Sequence, residues 1–238
     1  MTNPEASVAE ALATQALEIV GILPAASNLT LLARLDAPGA VATFVVYKPM
    51  RGEAPLWDFP PGTLCRREVA AYLVSEAGGW GFVPPTILRD GPLGLGAVQR
   101  FIEHDPEGTA FDLLGDRPDD LRRICLFDLA VNNADRKAGH VFLDSEGRIW
   151  TVDHGICFHA QPKLRTVLWD FVGEPISDAA RAPLIRLGEA LRGELAGRLE
   201  GLLAPEEIAA LERRTALLAA ADVFPPPGPG RPYPWPPV

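Results

Sequence analysis

The chain has 238 residues, 47% of them hydrophobic and 22% charged, which suits a folded globular protein with one sizeable core or two lobes and excludes a disordered or fibrous one. A formal charge of −9 argues against a broad nucleic-acid-binding face and against docking on anionic lipid by charge alone. Three widely spaced cysteines, Cys65, Cys125 and Cys157, fit buried thiols in a reducing cytoplasm better than a disulfide framework, and no window approaches the ~20 apolar residues of a stable membrane span.

Residues Pro4 to Leu17 carry Ala, Leu and Glu at helical spacing and predict a short helix. Three apolar, partly β-branched runs follow, Leu17 to Leu23, Leu29 to Leu35 and Val41 to Lys48, separated by turn-forming segments. They predict three successive antiparallel strands. Beyond a loop rich in Pro and Gly, Cys65 to Ala77 has helical spacing through Val69, Tyr72 and Leu73, and Ala97 to Ile102 reads as another strand that Glu103-His104-Asp105-Pro106 ends. His104 reads as an exposed loop residue.

The second half is mainly helical. Asp119 to Val131 places Leu121, Ile124, Cys125 and Leu129 on one face; Leu184, Leu187, Leu191, Leu195 and Leu199 form a second stripe, and Ile208, Leu211 and Leu218 a third. Pro205 with Glu206 and Glu207 opens that last helix. Between them, His140 to Leu143 and Ile149 to Val152 read as a hairpin turning at Glu146-Gly147. Eight of the 24 prolines crowd into the stretch from Phe224 to Val238, an extended tail that offers a route to a protein partner. The expected division is a sheet-rich lobe over 1–103, a helical lobe over 104–223 and the tail over 224–238.

The chemistry sits at the ends of the hairpin. Asp135 precedes its first strand and Asp153 follows its second, and two carboxylates so placed suit phosphoryl transfer: one accepts the proton of an attacking hydroxyl, the other holds a divalent ion against phosphates. Burying Asp153 unpaired would cost several kcal/mol, which a bound ion offsets. Lys48 closes an apolar strand and Glu68 lies inside a helix, so the pair is able to form the lysine–glutamate ion pair of kinases. Taken singly, Lys48 and Glu68 also read as ordinary solvated charges, and Asn133 to Arg136 as a helix-ending turn. His140, His154 and His159 offer three imidazoles for a zinc site, with only one of them on a strand aimed at the cleft.

Taken together, Asp128 to Arg136 and Val152-Asp153-His154-Gly155 resemble the catalytic core of the phosphatidylinositol 3- and 4-kinase superfamily, most of all its type II 4-kinase branch and the actinobacterial kinase-like proteins grouped with it. Val46-Tyr47-Lys48-Pro49, Arg67 to Leu73 and Val98 to Glu103 match its nucleotide lysine, lysine-pairing helix and hinge strand in order. The resemblance implies an α+β, two-lobed protein-kinase-like fold with a small antiparallel-sheet N-lobe and a mainly helical C-lobe. It implies ATP and Mg2+ or Mn2+ as cofactors, Lys48 on phosphate, Glu68 orienting it, and Arg100, Phe101 and Ile102 beside adenine. Asp135 becomes the catalytic base with Arg136 and Lys137 next to it, Lys137 on the γ-phosphate, and Asp153 the metal ligand. His140 stands where the family has an Asn as second ligand, and an imidazole favours manganese or zinc over magnesium. The glycine-rich phosphate loop is missing, so Ser27 and Asn28 would offer a hydroxyl and amides in its place.

Three functions follow as expectations: γ-phosphate transfer from ATP to an unidentified hydroxyl acceptor, a nucleotide-binding pseudokinase that signals by lobe closure, and transfer of the nucleotide itself. The loop after Asp153 carries two cations, Lys163 and Arg165, few for a polyanionic lipid head group, so a small molecule or protein acceptor is favoured over lipid. Trp169 and Phe171 beside it read as an acceptor wall or as a core aromatic pair.

Overall fold

A computed structural model describes residues 4–24, 28–36 and 43–238. Helix α1 (Pro4–Thr14) leads into strands β1 (Ala16–Ile22), β2 (Leu31–Asp36) and β3 (Thr43–Pro49), then helix α2 (Leu64–Gly78) and strands β4 (Thr86–Gly91) and β5 (Gly94–Arg100). The five strands form one antiparallel sheet in the order β1-β2-β3-β5-β4. Period-two alternation sends Val45 and Tyr47 into a small core with Leu12, Leu31, Ala33, Leu35 and Val98, and it puts Phe44, Val46 and Lys48 on the opposite face. Gly96 pairs with Pro49, and a Cβ there would stand 2.5 Å from the Lys48 carbonyl oxygen, so glycine is what lets β5 close against the strand end that carries Lys48.

Strand β4 was not anticipated. Arg89 and Asp90 obscure its alternation, and the tertiary fold supplies the reason they are tolerated: the Arg89 guanidinium donates to the carbonyls of Leu12 and Gln15 at the end of α1. Strand β5 correspondingly runs from Gly94 to Arg100 and stops before the predicted end at Ile102.

The remaining helices are α3 (Ala110–Leu113), α4 (Pro118–Val131), α5 (Asp178–Leu191), α6 (Glu194–Leu199) and α7 (Pro205–Ala220), with the hairpin β6 (Val141–Leu143) and β7 (Ile149–Thr151) between α4 and α5. The leucine stripe from Leu184 to Leu199 is fully buried but spans two helices, broken around Gly193. His140 ends a 3-10 turn over Ala138–His140 and does not open the strand. His104 is not a free loop residue: its ring stacks on Phe142 at 3.7 Å between centroids, and His104 bridges to Asp144.

Helix α2 belongs to the sheet by sequence order and to the helical half by packing. Val69, Ala70, Leu73 and Val74 lie in the same core as Leu121, Phe127, Leu184 and Leu211. The buried Arg67 Nη2 sits 2.7 Å from Glu207 Oε1 on α7 and its Nη1 donates to the Cys157 carbonyl, while Arg186 on α5 donates to the Gly78 carbonyl. A buried, hydrogen-bonded pair of this kind resists separation, so α2 is clamped to the helical half at both ends.

The proline-rich segment does not hang free. Phe224 is buried against Phe171, and backbone amides reach carbonyls along the segment: Gly173 to Phe224, Thr166 to Pro232 and Ala138 to Pro237. Proline lacks an amide proton but keeps its carbonyl, so a proline-rich strap is able to accept such bonds without donating any. The three cysteines are buried and free. Among the described residues no helix is long and apolar enough to cross a membrane.

Candidate active site

Strand β3 delivers Lys48 to the face of the sheet that looks toward the helical half, and α2 delivers Glu68 from its second turn. The Lys48 ammonium is paired with Glu68 Oε1 and lies 3.0 Å from Asp153 Oδ1. Glu68 Oε2 in turn accepts from the His154 backbone amide at 3.0 Å, so one buried carboxylate orients both the lysine and the segment that carries Asp153. Because α2 is clamped, Glu68 is held in that position without a swinging helix.

Asp153 has φ +60°, a left-handed backbone conformation that a non-glycine residue adopts at a cost. Strained residues of this kind cluster at functional sites. Its side chain remains half exposed although Lys48 is beside it. The lysine ammonium holds the Asp153 carboxyl well below the usual carboxylate range against the opposing effect of burial. Conversely, burial disfavours the charged lysine, but Asp153 and Glu68 outweigh it and raise the Lys48 pKa. His140 Nε2 lies 3.4 Å from Asp153 Oδ2, and burial drives that imidazole down to about 4, so it is a neutral nitrogen donor near pH 7. The Lys137 amide donates to His140 Nδ1, so the neutral ring directs its Nε2–H toward Asp153 Oδ2, and a divalent ion between them would have to displace that proton to the other nitrogen. Among the described residues no group of three or more His, Cys, Asp or Glu side chains is arranged to hold a metal, so the three-histidine zinc site is not assembled.

Asp135 opens on the same cavity. Burial raises its carboxyl to about 6, with Lys137 opposing and Asp153 reinforcing the rise, and the Lys137 ammonium stands 3.8 Å from its Oδ2. The cavity measures about 260 Å³ and is lined by Asn28, Lys48, Glu68, Asp135, Asp153 and Arg165 among others. Glu53, Ala54 and Leu56 also line it: the Ala54 amide donates to Asn28 Oδ1 and the Cys65 amide to Glu53 Oε1. Asn28 therefore lines the cavity with its carbonyl already committed, and Ser27 lies outside the described residues.

Arg136 requires a correction. Its guanidinium is wholly buried, turned away from the cavity, and bound to both carboxylate oxygens of the equally buried Asp128, to the Val152 carbonyl and to His154 Nε2. It positions the strand end before Asp153 and has no access to a reacting group. Arg100, Phe101 and Ile102 also lie away from the cavity's lining. The Arg100 amide donates to Pro85, the Phe101 amide donates to Phe44, and Ile102 is buried with Phe142 and Trp150, so two of the three amides expected to face adenine are already engaged.

No family model matches the chain. It is 41% identical over 260 residues to Protein Rv2133c of Mycobacterium tuberculosis, across 94% of this chain and 93% of that protein. The chain belongs to the family of Protein Rv2133c. Solved structures of similar shape include the Golgi casein kinase with Mn/ADP bound (TM-score 0.57, 13% identity, 92% of this chain and 76% of that one) and hydra Fam20 with sugar (0.55, 15%, 90% and 86%). A third is the Helicobacter pylori proinflammatory kinase CtkA (0.55, 11%, 89% and 94%). At such identities the likeness is one of fold, and the fold is the two-lobed kinase-like one.

Sequence reasoning missed two supports of this member's site. Asp128, which enters the sequence reading only as the first residue of the stretch Asp128 to Arg136 and with no role of its own, sits on the buried face of α4 and accepts from Asn133 Nδ2 as well as from Arg136. Its signal was an acidic residue in an otherwise apolar helical face. The other is the strap, whose carbonyls at Pro232 and Pro237 accept from the amides of Thr166 and Ala138, one residue beyond Arg165 and three beyond Asp135; no periodicity announces such contacts.

Proposed function

We propose that the chain is an ATP-dependent phosphotransferase that moves the γ-phosphate to the hydroxyl of a small molecule or protein. The observation that supports this most is the convergence of Lys48, Glu68, Asp153 and Asp135 on one cavity between sheet and helices. In this reading Lys48, oriented by Glu68, holds non-bridging phosphate oxygens as a compact positive charge. Asp153 and His140 would hold Mg2+ or Mn2+, whose charge would neutralise the phosphates; the imidazole favours manganese. Asp135 accepts the acceptor hydroxyl's proton, and a carboxyl raised to about 6 is a stronger base than an ordinary aspartate while still ionised at pH 7. Lys137 sits close enough to Asp135 to meet the γ-phosphate oxygens there. Adenine would lie under the apolar face that Val46 and Phe44 share with Lys48, and its backbone contacts would fall beyond Phe101.

Metal-dependent ATP consumption by the pure protein, lost in Asp135→Ala and Asp153→Ala, is the expected result. A second reading, nucleotide binding without phosphotransfer, is favoured by one observation: among the described residues no group of three or more His, Cys, Asp or Glu is arranged to hold a metal, and His140 meets Asp153 as a pair. Nucleotide binding with Mn2+ but no turnover in the unaltered chain would replace the first reading by the second.

A further inference from the structure

The sequence carries a net charge of −9, yet one surface cavity is lined by five cations and, among the described residues, by no carboxylate. It measures about 580 Å³, within the range of small-ligand sites. Three separate parts of the chain build it: Lys163 and Arg165 come from the segment after Asp153, Arg213 and Arg214 from α7, and Arg231 from the strap. Lys163 is already paired with Asp58 at 3.0 Å. Among the described residues none of the four arginines forms a direct ion pair, although Asp135 lies within the field of Arg165 and Glu207 within that of Arg214. Arg214 donates to the carbonyls of Ala130 and His159 but leaves a buried Nη2 without an acceptor, Arg213 is exposed on α7, and Arg231 is exposed on the strap with its guanidinium 5.6 Å from the centroid of the Trp235 ring. Trp169 adds an aromatic wall, fixed by its indole N–H on the Pro232 carbonyl.

Like charges gathered in one concavity repel one another, and an anionic ligand relieves that repulsion; arginine forks suit phosphate oxygens in particular. Arg165 lines this cavity and also the cleft that holds Asp135 and Asp153, so the two hollows adjoin. We propose that the cavity is a recognition site for a soluble, phosphate-bearing small molecule, held by Arg213, Arg214 and Arg231. Resting on the phosphotransferase reading, that molecule is the acceptor, its hydroxyl directed past Arg165 toward Asp135. The strap then forms one wall of the acceptor site.

The test uses pyrophosphate as probe, titrated calorimetrically into the full chain without nucleotide or divalent metal. Binding is expected to weaken with added salt and to fall by roughly tenfold or more in Arg213→Ala/Arg231→Ala, because each charge-assisted contact is worth about a factor of ten. Arg192→Ala/Arg198→Ala, the same charge change on exposed positions elsewhere, is expected to shift it by no more than about twofold. Equal loss in both variants, or no binding by the unaltered chain, would overturn the site. Sedimentation with phosphoinositide vesicles that free pyrophosphate does not displace would overturn the soluble-ligand assignment. Arginine-dependent pyrophosphate binding in a chain that consumes no ATP would retain the site and retire the phosphotransferase reading alone.

Discussion

Two charge networks flank the segment Val152 to His154, and they differ in what they leave unsatisfied. Around Asp128 and Arg136 both side chains are fully buried, and the guanidinium's nitrogens are taken up by one carboxylate, two backbone carbonyls and a histidine nitrogen. Around Lys48, Glu68 and Asp153 the lysine is satisfied, but Asp153 keeps half of its side chain open and one oxygen turned to a neutral imidazole. A buried guanidinium so fully engaged can only hold the fold together, even though His154 Nδ1 beside it has no partner; a half-open carboxylate can exchange partners with a ligand. Ion pairs alone would not have separated scaffold from chemistry here, because both networks contain one.

The contrast is breakable by experiment. Asp128→Ala strands the Arg136 guanidinium in the interior and is expected to cost about 3–5 kcal/mol, read as a drop in denaturation midpoint. Asp153→Ala should lower ATP turnover by roughly a thousandfold while lowering the denaturation midpoint much less than Asp128→Ala does, since half of that side chain already meets solvent and Lys48 keeps Glu68 as its partner. If Asp153→Ala unfolds the protein as Asp128→Ala does, the distinction fails. Removing residues 225–238 deletes the acceptors of the Thr166 and Ala138 amides and of the Trp169 indole, with an expected loss of about 2–3 kcal/mol.

Asp135 sharpens the comparison with the smallest effect. Its pKa is raised in the folded state, so the fold binds this proton more tightly than the unfolded chain does. The corresponding stability is present below the unfolded value near 4 and is lost as pH rises through about 6. Asp135→Asn should therefore gain about 1 kcal/mol at pH 7.5 while abolishing turnover. Turnover by the unaltered chain should fall as pH drops below about 6, where the base is protonated. A melting curve that loses stability in Asp135→Asn at pH 7.5 would contradict a desolvated carboxylate at this position.

Much of this was legible in the residues. The alternation of Val45, Tyr47 and Lys48, the helical spacing around Glu68 and the bracketing of the hairpin by Asp135 and Asp153 are local signals, and the structure brings Lys48, Glu68, Asp135 and Asp153 together. Arg136 misled because a cation beside a candidate base looks catalytic in sequence, and only its burial against Asp128 tells otherwise. The amides of Arg100 and Phe101 misled for a related reason: a strand's sequence does not say which amides its neighbours consume.

By itself the sequence determined the strand and helix types, the apolar faces and the order in which lysine, glutamate and two aspartates follow one another, because side-chain periodicity and local turn chemistry act over a few residues. Only the tertiary structure decided that α2 is clamped by Arg67 and Arg186, that the proline-rich end straps the helical half, and that Arg165, Arg213 and Arg231 share one hollow in an acidic chain. Those outcomes depend on how distant segments pack and on which charges are left without a partner once they do, and neither leaves a periodic trace along the chain.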